Sequence, residues 1–208
     1  MTSGWLDEMR ARLNRPWPER GLGLGPSGTG VPLREAAVLV PLYVRDRELF
    51  TLFTERTDLV EHHKGQISFP GGGKEPQDAT LWHTAVREVE EEIGVPRQSV
   101  QLLGALPPMV TVTDFEVHPF VGAIPYPLAF APHEGEVKAI IEIPIAYLLD
   151  PQVVEERPVT WKSKKATTLV YHYRGHAIWG VTARILADFL TVLTDQSLAR
   201  PETPRTIA

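Results

Sequence analysis

The sequence predicts one domain of mixed-sheet α/β or α+β class. Three observations carry that expectation: an apolar strand–turn–strand around residue 45, a strongly amphipathic helix over 79–93, and strand-like runs without regular βαβ alternation. Ala36 to Val44 is a continuous apolar run containing β-branched residues, the sign of a buried strand. Arg45-Asp46-Arg47-Glu48 is a polar turn and Leu49 to Thr54 a second strand, so the two make a hairpin. The helix over 79–93 is closed by Gly94, with Pro96 just beyond. Further strands are expected at 100–106, 116–124, 137–143, 157–161 and 168–173, and a last helix at 181–194. Trp5, Leu6, Met9 and Leu13 form a short amphipathic stretch that stops before Pro16. Residues 21–30 are glycine-rich and read as a flexible connection; they lack the Lys-Ser/Thr ending and the preceding strand of a phosphate loop. The organisation expected is an N-terminal extension over 1–30, one domain over 31–195 and a C-terminal tail over 196–208.

Composition narrows the function. A chain of 208 residues with 43% hydrophobic and 23% charged residues is long enough to bury a sizeable core. The lack of cysteine excludes disulfides, thiolate zinc sites and cysteine nucleophiles. A formal net charge of −5 argues against a protein that coats nucleic acid, although a bound cation can reverse the sign locally for an anionic substrate. No apolar run reaches the roughly 18 residues of a membrane span, and neither end reads as a targeting signal. The expectation is a soluble, cytoplasmic protein with no nucleic-acid or membrane partner.

The helix carries the chemistry. At about 100° per residue, with Glu88 as zero, Glu91 falls at about −60° and Glu92 at about +40°, so three carboxylates share an arc of about 100°. Trp82, Ala85, Val86, Val89 and Ile93 fall between about 60° and 160°, the face for a core, while Glu90 lies at about 200°. Like charges at this spacing repel, so the arc is either a solvated face or a cation site. The loop Phe69-Pro70-Gly71-Gly72 favours the second. Its glycines let backbone approach closely, and loop carbonyls with clustered carboxylates are the hard oxygen donors that magnesium and manganese prefer.

Arg87-Glu88-Val89-Glu90-Glu91-Glu92-Ile93-Gly94-Val95 resembles the second half of the Nudix box: Arg-Glu, an aliphatic, any residue, Glu-Glu, any residue, Gly and an aliphatic. Gly73 stands at the box glycine, but the Glu expected six residues later is Ala79, with Asp78 just before it. That departure is similar to a subgroup, the coenzyme A pyrophosphatases, whose pattern runs Leu-Leu-Thr-x-Arg, a spacer, Gly-x-x-x-Phe-Pro-Gly-Gly, then an Asp ahead of the helix. This chain has Leu52-Phe53-Thr54-Glu55-Arg56, then Gly65-Gln66-Ile67-Ser68-Phe69-Pro70-Gly71-Gly72, then Asp78. Phe53 replaces a Leu, Thr57 replaces a Ser or Ala, and Glu61 replaces an Arg. The resemblance continues in Pro119-Phe120-Val121-Gly122, Glu136-Val137 and Ile178-Trp179-Gly180-Val181-Thr182-Ala183, and covers about residues 36–190.

The resemblance implies an α/β/α sandwich with a mixed sheet and a loop–helix–loop catalytic motif. It implies hydrolysis of coenzyme A to 3′,5′-ADP and 4′-phosphopantetheine. The alternatives are hydrolysis of another nucleoside diphosphate derivative, such as ADP-ribose or NADH, and a non-catalytic Nudix-like binding module. Glu88, Glu91 and Glu92 would hold Mg2+ or Mn2+, and Arg87, about 40° from Glu91 on the helix, would orient that carboxylate by an ion pair. Glu136 is the candidate extra ligand or general base, with Glu134 competing. Arg56, Lys64, Gly71 and Gly72 are the candidate substrate contacts, with His62 and His63 beside Lys64. His83 is expected on the helix surface and Trp179 in the core. The partner implied is a small-molecule nucleotide, and the chain is expected to be a monomer or homodimer.

Overall fold

A hairpin that parts beyond its turn organises the sheet. The computed structural model describes residues 4–14, 32–57, 65–161 and 164–194. Its elements in order are α1 (Gly4–Leu13), β1 (Arg34–Arg45), β2 (Glu48–Arg56), β3 (Ile67–Ser68), β4 (Gly71–Gly73), α2 (Leu81–Ile93), β5 (Gln101–Ala105), β6 (Met109–Val110) and β7 (Phe115–Ala123). They continue with β8 (Val137–Pro144), α3 (Ile145–Leu148), β9 (Val154–Trp161), β10 (Lys164–Tyr173), β11 (His176–Trp179) and α4 (Gly180–Thr194).

The turn between β1 and β2 places Asp46 and Arg47 at φ of 51° and 70°, the paired positive values whose twist suits a two-residue hairpin. Leu42–Arg45 pair with Glu48–Thr51, and then the strands diverge. β4 pairs with Ala36–Val38 of β1, and β3 pairs with Thr54–Glu55 of β2, so residues 67–73 are wedged between the two strands. The far edge of β1 runs parallel to β7, from Arg34 opposite Phe115 to Leu42 opposite Ala123, while the other ladders of the sheet are antiparallel. The sheet is therefore mixed. β9, β10 and β11 form a separate antiparallel sheet.

Both faces of β1 are buried, as its unbroken apolar run requires. On one face Leu39 and Tyr43, with Leu52 of β2, meet Val86, Val89 and Ile93 of α2. On the other, Val40, Leu42 and Phe53 share a core with Met9 and Leu13 of α1 and with Ile185, Leu186 and Phe189 of α4. The result is the helix–sheet–helix layering expected of the sequence. The helix starts two residues later than its apolar pattern suggested, because Thr80 is extended and its hydroxyl accepts the His83 N–H at 3.3 Å. Gly94, at φ 73°, closes it and donates to the Glu90 carbonyl.

Several elements depart from expectation. The strands β3, β4, β6 and β11 span only two to four residues, and the three glycines of β4 have no strand propensity of their own; neighbouring strands recruit them. Trp179 is 49% exposed and not in the core, because β11 alternates and sends Ile178 inward. Residues 21–30, Glu61, His62, His63 and Lys64 lie outside the described residues. At the far end of the molecule Arg12 of α1 donates to the carbonyls of Val192 and Leu193, which end α4.

A Cβ on Gly71 would fall 2.4 Å from the Ala37 carbonyl oxygen and 2.6 Å from the Val38 Cα, both backbone atoms of the central strand. Gly71→Ala is therefore expected to destabilise the fold by about 1–3 kcal/mol or more, the cost of overpacking. Urea denaturation at constant pH measures it; an unchanged midpoint would mean that β4 is free to slide off β1.

Candidate active site

Arg87 is the hub of the site. It is buried on α2, and its Nε and Nη2 donate to the two carboxylate oxygens of Asp78 at 3.1 and 3.0 Å. The same Nη2 donates to the Gly73 carbonyl at 3.0 Å, and Nη1 reaches Glu91 at 2.8 Å and Glu88 at 3.0 Å. Asp78 also accepts the Thr84 hydroxyl and the Glu75 N–H, each at 3.0 Å. The Arg87 guanidinium is the largest influence holding the Asp78 carboxyl down, to about 2. Asp78 in turn raises the Arg87 pKa further above its ordinary value. The expected Arg87–Glu91 pair is present, but the stronger partner is Asp78, which occupies the helix approach where the box pattern has its missing glutamate.

The three glutamates of the arc differ in depth. Glu91 is exposed, Glu88 is half-buried and Glu92 is 3% exposed. Gly72 lies so close to Glu88 that a Cβ there would stand 2.4 Å from its Oε1. Glu92 faces the Gly71 N–H and the Arg56 guanidinium, whose Nη1 is 3.9 Å away. Burial, and then the charge of Glu88, push the Glu92 carboxyl up to about 8 against the opposing pull of Arg56 and Gly71. Burial also raises Glu88, with Arg87 opposing. Glu90 points elsewhere, as the helix phase required: it accepts the Arg97 N–H at 3.1 Å, and its pKa is lowered by Arg97. His83 is exposed, as expected.

Glu136 arrives from a turn after α2. His133 donates to the Glu92 carbonyl at 2.9 Å and Ala131 to the Ile93 carbonyl at 3.0 Å, so this segment caps the helix end. Glu136 is exposed, and its charge is among the influences that raise both Glu88 and Glu92. Glu134 is exposed two residues earlier.

The arrangement suits a hard cation. Glu92 Oε2 is a buried acceptor with no hydrogen-bond partner among the described residues, next to a second carboxylate that repels it, and a divalent ion would relieve both conditions. Among the described residues no three acidic or histidine side chains surround a common point, because Glu88 and Glu91 are turned to Arg87. Their release from Arg87 is the rearrangement that a cation would require. The glycine loop supplies less than its sequence suggested: the Pro70 carbonyl accepts Leu39 N–H and the Gly73 carbonyl accepts Arg87.

The NUDIX domain family model matches residues 33–160. The uncharacterized Nudix hydrolase NudL of Klebsiella pneumoniae subsp. pneumoniae is 37% identical over 183 residues, covering 88% of this chain and 92% of that protein. The protein of the same name from Salmonella newport is 38% identical over 155 residues, covering 74% and 80%. Among solved structures, a MutT/nudix family protein from Enterococcus faecalis shares the fold with TM-score 0.53 at 11% identity, over 96% of this chain and 73% of that one. A NUDIX hydrolase from Alicyclobacillus acidocaldarius aligns with TM-score 0.50 at 19% identity, over 58% and 83%. The chain belongs to the Nudix family. Its chemistry is hydrolysis of a phosphoanhydride bond in a nucleoside diphosphate derivative, and hydrolases of this family generally need a divalent metal cation. No described helix is long and apolar enough to cross a membrane.

The sequence marked Asp78 as an acid one place out of register and as the subgroup pattern's Asp, but not as the partner of Arg87. Asp78→Ala leaves Arg87 buried without its main partner and is expected to cost about 3–5 kcal/mol, read by urea denaturation. A loss near zero would show that Glu88 and Glu91 alone suffice to hold the guanidinium.

The metal-free protein is expected to lose stability as pH rises. Between about 4.5 and about 8 the folded chain keeps a proton on Glu92 that the unfolded chain releases. The contribution is fully present below that window and gone above it. Thermal unfolding in EDTA across this range should therefore show a falling midpoint, with Glu92→Gln flattening the slope; identical slopes for the two proteins would refute the buried-carboxyl account.

Proposed function

We propose that this chain hydrolyses coenzyme A to 3′,5′-ADP and 4′-phosphopantetheine with Mg2+ or Mn2+ as cofactor. The observation that carries this reading is the meeting of the subgroup motif with the helix glutamates: Arg56 stands 3.9 Å from Glu92, and Gly72 lies against Glu88. Glu88, Glu91 and Glu92 are the residues that would hold the cation, and Arg87 orients the first two until the cation draws them off it. A divalent ion bound there supplies charge neutralisation and a more acidic bound water. Glu136 is assigned as the base that takes the proton from the attacking water at a side-chain oxygen. Water attacks one phosphorus of the diphosphate, the bridging P–O bond breaks, and the bridging oxygen leaves with the other phosphate. Arg56 is assigned to a substrate phosphate, to which its guanidinium turns once a cation has taken over Glu92; its Nε is buried and has no hydrogen-bond partner among the described residues. Lys64, Gly71 and Gly72 complete the proposed substrate contacts. The domain is assigned to 31–195, with 1–30 as an extension and 196–208 as a tail.

A second reading, hydrolysis of ADP-ribose or a related derivative, is favoured by Glu61, an acid where the subgroup pattern has a base. Comparing kcat/KM for coenzyme A, dephospho-coenzyme A and ADP-ribose separates the two. The 3′-phosphate should contribute roughly ten- to a hundred-fold, the worth of one charge-assisted hydrogen bond. Glu92→Gln should lower the rate on coenzyme A by roughly 10³-fold or more, and Glu90→Gln by no more than a few-fold. Equal kcat/KM for the three substrates would remove the coenzyme A assignment, and equal damage from the two variants would remove the cation site.

A further inference from the structure

We propose that Thr57 is a positioning residue that fixes the 133–137 turn, and with it Glu136, against the glutamates of α2. This rests on the reading of Glu136 as the base. Thr57 lies one residue beyond β2, 7% exposed, and grips the turn twice. Its hydroxyl donates to the Gly135 carbonyl at 3.0 Å, and its N–H donates to the Glu136 carbonyl at 2.9 Å. The turn is closed on itself by the Glu136 and Val137 N–H groups, which both donate to the His133 carbonyl, at 2.9 and 2.8 Å. Its other end is fastened to α2 through the His133 N–H on the Glu92 carbonyl.

Glu136 thus sits on a short arch with two feet, one on the helix that carries Glu88 and Glu92 and the other on Thr57. The foot on α2 is made by backbone alone and is indifferent to side-chain identity. The Thr57 foot includes a side-chain bond, and it stands where the subgroup pattern has Ser or Ala. An Ala there would leave the Gly135 carbonyl without this donor. A base must be held within hydrogen-bond reach of the water it deprotonates, so loosening this foot acts on the chemical step more than on substrate binding.

The test compares Thr57→Val, which keeps the shape and removes the hydroxyl, with Thr57→Ser, which keeps the hydroxyl. Thr57→Val should lower kcat about tenfold, the scale of one neutral hydrogen bond, with KM little changed. Thr57→Ser should retain kcat. In the metal-free protein, amide exchange over 133–137 should quicken in Thr57→Val while the amides of α2 stay protected, a readout independent of turnover. Thr57→Val added to Glu136→Gln should cause little further loss. Unchanged exchange and kcat in Thr57→Val would overturn the proposal, as would equal losses in the Val and Ser variants or a loss confined to KM. If Glu136→Gln alone leaves kcat intact, the base assignment falls, and exchange over 133–137 then decides Thr57 by itself: faster in Val alone upholds the anchor, unchanged removes it.

Discussion

The buried pair between Arg87 and Asp78 is the interaction on which the rest of the site depends. One guanidinium ties the loop before α2, the Gly73 carbonyl and two carboxylates of the helix into a single unit. Such a pair repays its desolvation only when its hydrogen bonds are satisfied, and Asp78 meets that condition with four donors from three residues and Arg87 itself contributing two of them. With the cation of Arg87 in place, clustered acids on one helix face become tolerable despite their mutual repulsion.

The second constraint is the parting of β1 and β2. A hairpin that stayed paired to its ends would leave no room for the glycine segment, which makes its backbone contacts in the gap. Glycine at 71 is required by the backbone of β1 beside it, and a Cβ at 72 would displace the Glu88 carboxylate. The close approach that lets the loop touch the helix also excludes solvent, and that exclusion perturbs Glu92. Geometry and electrostatics at the site thus have one cause.

Much of this was legible in the sequence. The hairpin, the helix and its acidic and apolar faces followed from periodicity, because helix phase is fixed by the repeat once the core face is known. The separation of Glu90 from its neighbours followed from the same repeat, and its contact with Arg97 agrees with it. The depth of Glu92 did not follow, since a helical wheel gives direction and not distance from solvent, and the cover over that residue comes from Gly71 and Arg56, distant in the chain. The partner of Asp78 did not follow for a related reason: whether that acid reaches an arginine nine residues on depends on the loop path. Trp179 was assigned to the core from apolar neighbours, but strand alternation divided those neighbours between two faces. Thr57 was visible only as a departure from the subgroup's Ser or Ala, and its role depends on partners distant in the chain.

The clasp of Arg12 over the last carbonyls of α4 bears on the order in which the chain matures. α1 is the first described element to be synthesised and α4 the last, yet Met9 and Leu13 share a core with Ile185, Leu186 and Phe189. β1 likewise waits for β7 before its parallel edge is covered. A nascent chain therefore completes the cover of α1 only once α4 has emerged, and native closure is a late, non-local event. For such a chain the hazardous interval is biosynthesis, when a premature stop before α4 leaves α2 intact but strips the opposite layer of part of its cover.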